Sequence, residues 1–190
     1  SHRFQGMPVE GYTAMVAKIL DHPNITVHLN SGFDRSQVSD YDHVFYSGTI
    51  DGFYDYEFGR LPYRTLDFVK KYAEGDFQGC AVMNYGDEQV PYTRISEHKH
   101  FATWEEHDNT VYFEEYSREC EARDIPYYPI NLLEGNELIA KYKDKAAKED
   151  KVTFVGRLGT FRYLDMDVII KEAIEIGKNI KDNNTKKGER

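Results

Sequence analysis

The pattern of apolar and polar positions in the first fifty residues predicts a helix followed by two strands. Residues 11–20 form a helical repeat that the "DHPN" after them ends. The apolar face of this helix consists of Met15, Val16, Ile19 and Leu20. The segment "ITVHL", residues 25–29, alternates apolar and polar side chains and predicts a strand, and "YDHVFYSG", residues 41–48, predicts a buried strand running into a glycine turn. This order is typical of part of an α/β unit.

The middle of the chain has a different pattern, with aromatic and polar residues alternating between Gly, Asp and Pro. Four such segments follow one another: "YRTLDFVKKYAEG", "GCAVMNYGDEQVPYTRISEHKHF", "NTVYFEEYSREC" and "IPYYPI". Alternation of this kind is typical of antiparallel strands with one packed and one open face. We therefore predict an antiparallel sheet here.

The last third returns to helical and buried-strand patterns. Residues 136–149 predict an amphipathic helix, "KVTFVG" at 151–156 a short buried strand, and residues 165–180 a final helix. The polar residues 181–190 predict a flexible tail. The fold class predicted for the whole chain is mixed α/β, with an antiparallel centre between two α/β ends. The predicted boundaries place α/β structure at 1–58, the antiparallel sheet at 59–130 and the return at 131–180.

Composition and charge narrow the classes of function. Among 190 residues, 15 Tyr and 11 Phe give an aromatic content of 14%, which fits either amphipathic core tyrosines or a ring-lined polar pocket. The net charge of -9 argues against general nucleic-acid binding, which needs a basic surface. The two cysteines, Cys80 and Cys120, fit a reducing compartment, although a bridge between them stays possible. No apolar stretch is long enough for a bilayer, so we expect no membrane partner and a cytoplasmic location.

The segment "VGRLGTFRYLDMD", residues 155–167, carries unusual chemistry for a joint between a strand and a helix. A helix beginning near Asp165 to Asp167 would aim its free N–H groups and positive dipole end at a ligand. The plain alternative is that an aspartate caps the helix while Gly156 and Gly159 make a turn. A cap, however, needs no arginine, and Arg157 and Arg162 are donors suited to a phosphate or a flavin edge.

Two other kinds of site find little support. His98, His100 and His107 could suggest a metal, but a spacing of two on a strand is simple alternation, and we predict no metal site. The sequence also holds no G-x-G-x-x-G, the fingerprint that cradles a dinucleotide pyrophosphate.

Several long stretches carry a family resemblance. In order along the chain they are "FQGMPVEGYTAM", "YDHVFYSG", "GRLPYRTLDF", "GCAVMNY", "VPYTRISEHKHF", "EYSRECEARDIPYYPI" and "GRLGTFRYLDMD". The sequence resembles the prokaryotic UDP-galactopyranose mutases from about Phe4 to Lys178. The resemblance implies the C-terminal half of such an enzyme: an antiparallel substrate-binding sheet and an incomplete, Rossmann-like FAD-binding part. It also fits the start without methionine, where Ser1 and His2 are either a tag remnant or follow a cut within a longer protein.

The resemblance further implies an activity. Family members interconvert UDP-galactopyranose and UDP-galactofuranose for cell-surface glycans, using reduced FAD whose N5 attacks the anomeric carbon. They are typically cytoplasmic homodimers. For this chain the expected partners are UDP-galactose, the missing N-terminal half and a second copy. We expect the chain alone to be inactive and to bind FAD weakly or not at all. The alternative is a stand-alone UDP-sugar-binding module without catalysis.

Site residues follow from the same resemblance. For the substrate they are Arg94, Tyr128 and Tyr163 at the diphosphate, Asn84 on the nucleoside side, and Arg64 near flavin and substrate. For the flavin they are Arg157, Leu164, Asp165 and Met166, with Arg64 and Asp165 as electrostatic support for catalysis. The plain alternatives are a surface ion pair of Arg94 with Glu97 or a neighbouring carboxylate, core tyrosines in a turn, turn chemistry at Asn84, and an ordinary ion pair at Arg64. We also infer that the final helix N-terminus favours negative charge on the reduced flavin.

Overall fold

The computed structural model describes residues 6–130 and 135–188, and the chain forms two compact units. The first unit comprises residues 1–32 and 66–117, and the second comprises 33–65 and 118–190. The domain boundaries predicted after residues 58 and 130 stay predictions. Ser1, His2, Phe4 and the predicted boundary at 131 lie outside the described residues. Within the described part of the chain, no helix is both long and apolar enough to cross a membrane.

The first unit begins with α1, Gly11–Leu20, which confirms the helix predicted there. The strand predicted at residues 25–29 is wrong, because this segment has no regular secondary structure. A turn precedes it, closed by a hydrogen bond of 2.9 Å from the Ile25 N–H to the His22 carbonyl oxygen. Alternating side chains produce a strand only where a neighbouring strand supplies hydrogen bonds and cover. Val27 and Leu29 instead point into solvent.

The rest of the first unit is the predicted antiparallel sheet. Its strands are β2 (Tyr63–Glu74), β3 (Val82–Asn84), β4 (Arg94–Glu97) and β5 (Asn109–Glu119). The first residues of β2 and the last residues of β5 belong to the second unit. These strands lie in the order β3-β4-β5-β2, and both β3–β4 and β4–β5 pair antiparallel. The fixed register of these two pairs decides which side chains share a face. A short 3-10 helix, His98–Phe101, follows β4.

One fully buried carboxylate, that of Glu97, fixes the loop before β3. It accepts hydrogen bonds from the backbone N–H groups of Phe77 at 2.9 Å, Gln78 at 2.8 Å and Gly79 at 3.2 Å. Burial alone would raise the pKa of Glu97, but the hydrogen bonds to the ionised group, from these N–H donors and from the Thr110 side chain, outweigh it and hold the pKa at about 2. The loop geometry therefore depends on the ionised carboxylate.

We expect Glu97→Gln to reduce the free energy of unfolding at pH 7 by about 2 kcal/mol, since one amide oxygen replaces a carboxylate that serves three donors. The folded pKa lies below the ordinary value of 4.5, so the ionised group stabilises the fold above that value. This contribution disappears as the pH falls from about 4.5 towards 2. Urea unfolding of both proteins between pH 7 and pH 3 measures it. Equal slopes of stability against pH in that acid range would contradict the assignment.

The second unit contains a parallel pair of strands, β1 (Val44–Tyr46) and β7 (Val152–Phe154), which confirms both predicted strands. Its helices are α2 (Ile50–Phe53), α3 (Gly135–Ala146), α4 (Gly156–Gly159) and α5 (Met166–Gly188). A two-residue strand, β6 (Tyr128–Pro129), pairs antiparallel with the start of β2. The predicted amphipathic and final helices are thus confirmed as α3 and α5. The structure describes helix through Gly188, so the flexibility predicted for 181–190 stays a prediction.

The core of the second unit shows how tyrosines serve as amphipathic interior residues. Its buried members are Ile50, Phe53, Tyr54, Leu61, Tyr63, Ile139, Tyr142, Val152 and Phe161. The fully buried Tyr142 donates its hydroxyl to the Gly59 carbonyl at 2.7 Å and accepts the Phe58 N–H at 3.1 Å. Ring packing and a satisfied hydroxyl let such a residue stabilise the core. For these tyrosines the core interpretation of the aromatic content is correct.

Candidate functional site

Arg94 lies at the start of β4, on an open part of the first unit's sheet. Its Nε donates to the Oδ1 of Asn84 at 2.9 Å, and its Nη1 lies 3.6 Å from the Glu115 carboxylate. The plain alternative named Glu97 or a neighbouring carboxylate as its partner, and the carboxylate found beside it is that of Glu115. The Arg94 side chain is still 45% exposed, so its guanidinium group can reach an anion in solvent.

The second unit gathers a group of tyrosines and arginines around β6. Arg64 on β2 lies directly opposite Tyr128 on β6, so their side chains share one face of the strand pair. The Tyr128 ring meets the Tyr163 ring edge-on, with centroids 5.9 Å apart. The guanidinium carbon of Arg157 lies 4.8 Å from the centroid of the Tyr163 ring. The structure therefore brings four of the predicted residues together, and it leaves Tyr163 well exposed.

Arg157 also fixes the turn that leads into α5. Its Nε and Nη2 donate to the Leu164 carbonyl at 3.1 and 2.5 Å, and its Nη1 donates to the Tyr127 carbonyl at 3.3 Å. These bonds tie the turn before α5 to the segment before β6. Arg162, by contrast, forms a two-pronged ion pair with Glu172 of α5, at 2.7 and 3.0 Å. The two arginines of this joint thus have structural partners, which the sequence interpretation did not foresee.

Gly156 and Gly159 are each needed at their positions for a different structural reason. Gly156 has a positive φ of 72°, a conformation that glycine adopts without strain. Gly159 lies so close to β1 that an added Cβ would be 2.7 Å from the carbonyl oxygen of Tyr46. The group that approaches Gly159 is therefore the protein's own backbone. Moreover, β7 does not pass directly into the final helix, since α4 and a turn intervene.

The flavin residues predicted at the start of α5 differ in exposure. Leu164 is buried, whereas Asp165 and Met166 are exposed. The Ile169 N–H donates to the Asp165 carbonyl at 3.1 Å, which places Asp165 at the helix start. The N–H groups of the first turn have no partner within the helix itself and carry its positive dipole end. This end could accept an electron-rich ring edge.

His98, His100 and His107 do not form a common cluster. Among the described residues, Asp76, Glu97 and His100 are close enough to hold a metal together. Lys99 already forms an ion pair of 2.6 Å with Asp76, and the Glu97 carboxylate is occupied by three N–H donors. His98 packs on Phe113, and His107 interacts with Glu105. The absence of a metal remains a prediction.

Sequence reasoning missed Glu115. The run "FEEY" shows two adjacent glutamates on a strand, and alternation shows that they face opposite ways. Which of them faces Arg94 depends on the register between β4 and β5, and the sequence does not provide that register. The pairing of β4 with β5 in the structure identifies Glu115 as that residue.

These features define the chain as a mixed α/β protein with an exposed arginine, Arg94, on an antiparallel sheet and a group of arginines and tyrosines around β6. The family model for UDP-galactopyranose mutase matches residues 1–163. The chain therefore belongs to the UDP-galactopyranose mutase family, which confirms the resemblance found in the sequence.

Individual relatives agree with this assignment. The chain is 54% identical over 190 residues to the dTDP-fucopyranose mutase of Escherichia coli, covering 96% of this chain and 50% of that protein. It is 56% identical over 175 residues to a probable UDP-galactopyranose mutase of Klebsiella pneumoniae, covering 92% and 46%. Against the UDP-galactopyranose mutase of Mycoplasma pneumoniae the identity is 33% over 189 residues, covering 90% and 46%. The chain thus spans about half the length of these relatives.

Proposed function

We propose that the chain is the C-terminal half of a nucleotide-sugar mutase that interconverts UDP-galactopyranose and UDP-galactofuranose in the cytoplasm, for cell-surface glycans. The family match across residues 1–163 carries this proposal. A ring contraction through loss and return of UDP requires cationic and hydrogen-bonding groups at the diphosphate, because negative charge develops there as the bond breaks.

Exposed and half-buried donors of both units are suited to that task. On the first unit, Arg94 offers a guanidinium group that Asn84 and Glu115 hold in place. On the second unit, Tyr128 and Tyr163 offer phenol groups beside Arg64. Guanidinium and phenol groups are good donors to phosphate oxygens. We assign Arg94, Tyr128 and Tyr163 to the diphosphate. Arg64 is assigned to the flavin and substrate. Asn84 is assigned to the nucleoside side of the substrate and also holds Arg94.

The start of α5 fits one edge of a flavin. Asp165 and Met166 would meet the ring beside the free N–H groups of the helix, while Arg157 would stabilise the turn that carries them. Reduced FAD, when bound, would supply the nucleophile that displaces UDP from the anomeric carbon. The N–H groups at the start of α5 and the Arg64 guanidinium would favour negative charge at that ring, and Asp165 and Arg64 stay assigned as electrostatic support for catalysis.

The parallel sheet of the second unit is suited to pairing with the N-terminal half of the full-length protein. This sheet has two strands among the described residues, and Phe45 on β1 is half exposed. Parallel sheets normally contain more strands and are covered on both faces. We propose that the N-terminal half of the full-length protein completes this sheet and supplies the dinucleotide fingerprint. A homodimer of full-length chains is the expected assembly.

The choice of sugar nucleotide has a second candidate. The relative of Escherichia coli, 54% identical, is named a dTDP-fucopyranose mutase, so the same half-chain is compatible with a dTDP-sugar. A stand-alone UDP-sugar-binding module remains the non-catalytic alternative.

One experiment separates these functions. The full-length protein, with FAD reduced by dithionite, is incubated with UDP-galactopyranose or dTDP-fucopyranose, and furanose products are separated by chromatography. Conversion of the UDP-sugar supports the proposal, whereas conversion of only the dTDP-sugar would favour the second candidate. If neither sugar reacts but UDP binds, the binding module is favoured.

The isolated chain, mixed with FAD and desalted, should retain little flavin absorbance.

A further inference from the structure

Three neighbouring strands of the first unit place Asn84, Arg94 and Glu115 in one row. Asn84 on β3 lies opposite Arg94 on β4, and Arg94 lies opposite Glu115 on β5. Directly opposed residues of antiparallel strands project from the same face of the sheet. The amide, the guanidinium and the carboxylate therefore lie side by side across three strands.

We infer that Glu115 is a positioning residue that holds the Arg94 guanidinium for an anionic ligand, an inference that depends on the function proposed for Arg94. The Asn84 Oδ1 accepts a hydrogen bond from Nε on one side, and the Glu115 carboxylate attracts Nη1 on the other, at 3.6 Å. Contacts on two sides restrict rotation of the long side chain. Arginine carries five N–H donors in a planar fork, so donors remain for a diphosphate after these contacts are made.

The Glu115 side chain is largely buried, and the backbone that carries it is held by hydrogen bonds. The Glu115 side chain is only 10% exposed, against 45% for Arg94. The Glu115 carbonyl accepts hydrogen bonds from both the N–H and the Oγ1 of Thr93, at 2.8 and 3.1 Å. A fixed partner of this kind reduces the conformational entropy that the arginine would lose on ligand binding. Glu115 thus acts through Arg94, without a contact of its own to the ligand.

The adjacent Glu114 offers a matched control. Its side chain projects from the other face of the sheet than that of Glu115, and its direct partner on β4 is the buried Ile95. The Glu114 side chain is 8% exposed. It binds Lys71 at 2.7 Å and accepts the Tyr116 hydroxyl at 2.9 Å. Two successive buried glutamates therefore each pair with a cation, on different faces of the same strand. A general need for buried charge on β5 would affect both of them equally.

The test is a double-mutant cycle in the full-length protein. UDP affinity, measured by calorimetry, and kcat and KM for the UDP-sugar are compared in the wild type, Arg94→Ala, Glu115→Ala and the double variant. We expect Glu115→Ala to weaken UDP binding roughly tenfold and to raise KM, and to have no further effect once Arg94 is absent. Glu115→Gln should recover part of the affinity, and Glu114→Gln should leave UDP affinity unchanged.

Each outcome has a distinct meaning. If Arg94→Ala leaves UDP affinity unchanged, the function proposed for Arg94 is wrong. If Arg94→Ala weakens binding but Glu115→Ala does not, the proposed function survives and the inference about Glu115 fails. Additive effects of the two alanine variants would also overturn the inference, because they would show that Glu115 acts independently of Arg94.

Discussion

Replacement of Arg94 by alanine in the full-length protein should reduce kcat/KM for the UDP-sugar by about a hundred- to a thousandfold. The reason is that a positioned cation stabilises a diphosphate whose negative charge grows as it leaves the sugar. Arg94 is held at Nε by Asn84 and at Nη1 by Glu115, while nearly half of its side chain stays accessible. A lysine at this position should restore little activity, since it lacks the planar fork. Steady-state kinetics with reduced enzyme measure both variants.

The matched control for this prediction is Lys71→Ala. Lys71 resembles Arg94 in exposure, with 44% of its side chain accessible against 45%, and it also pairs with a buried glutamate of β5. Its partner, Glu114, faces the other side of the strand, so the Lys71 charge should not matter for the diphosphate. Comparable losses of kcat/KM in both variants would show that any cation paired to β5 is required, and would remove Arg94 from the proposed site.

Local patterns predicted most of the elements, and the errors have physical causes. Residues 136–149 and 165–180 carry enough helical periodicity to decide their own structure, and α3 and α5 follow. The segment at 25–29 has the right alternation for a strand, yet its conformation depends on a neighbour that its own sequence does not contain. Strand formation is non-local, and this limits prediction from a single sequence.

The candidate site was predictable as a set of residue types but not as a set of contacts. The resemblance named Arg94 and Asn84 separately, one for the diphosphate and the other for the nucleoside, whereas the structure shows them bonded to each other. Glu115 was missed because register decides which of two adjacent glutamates faces Arg94. In the segment 155–167, the sequence suggested Arg157 and Arg162 as donors to a ligand. The structure shows that each of them also has a hydrogen-bond partner within the fold.

The second large effect should follow from Gly159→Ala, which we expect to destabilise the chain by about 3 kcal/mol. The added methyl group would lie 2.7 Å from the Tyr46 carbonyl oxygen, well inside the distance that a carbon and an oxygen tolerate. That oxygen already accepts the Val155 N–H at 2.9 Å and belongs to β1, which pairs with β7. It cannot move without disturbing the parallel sheet, so the strain must be borne by α4 or by the sheet.

Gly177→Ala in α5 serves as the comparison, because a Cβ at that position would meet no atom within 4 Å. In a helix interior, alanine is favoured over glycine by about 1 kcal/mol, so this variant should be neutral or slightly more stable. Urea unfolding of the three proteins measures the difference, and the yield of soluble protein tests folding independently. If Gly159→Ala unfolds at the same urea concentration as the wild type, the close approach of α4 to β1 is not a constraint on this residue. The joint would then tolerate a side chain at Gly159, and only the positive φ of Gly156 would still require a glycine there.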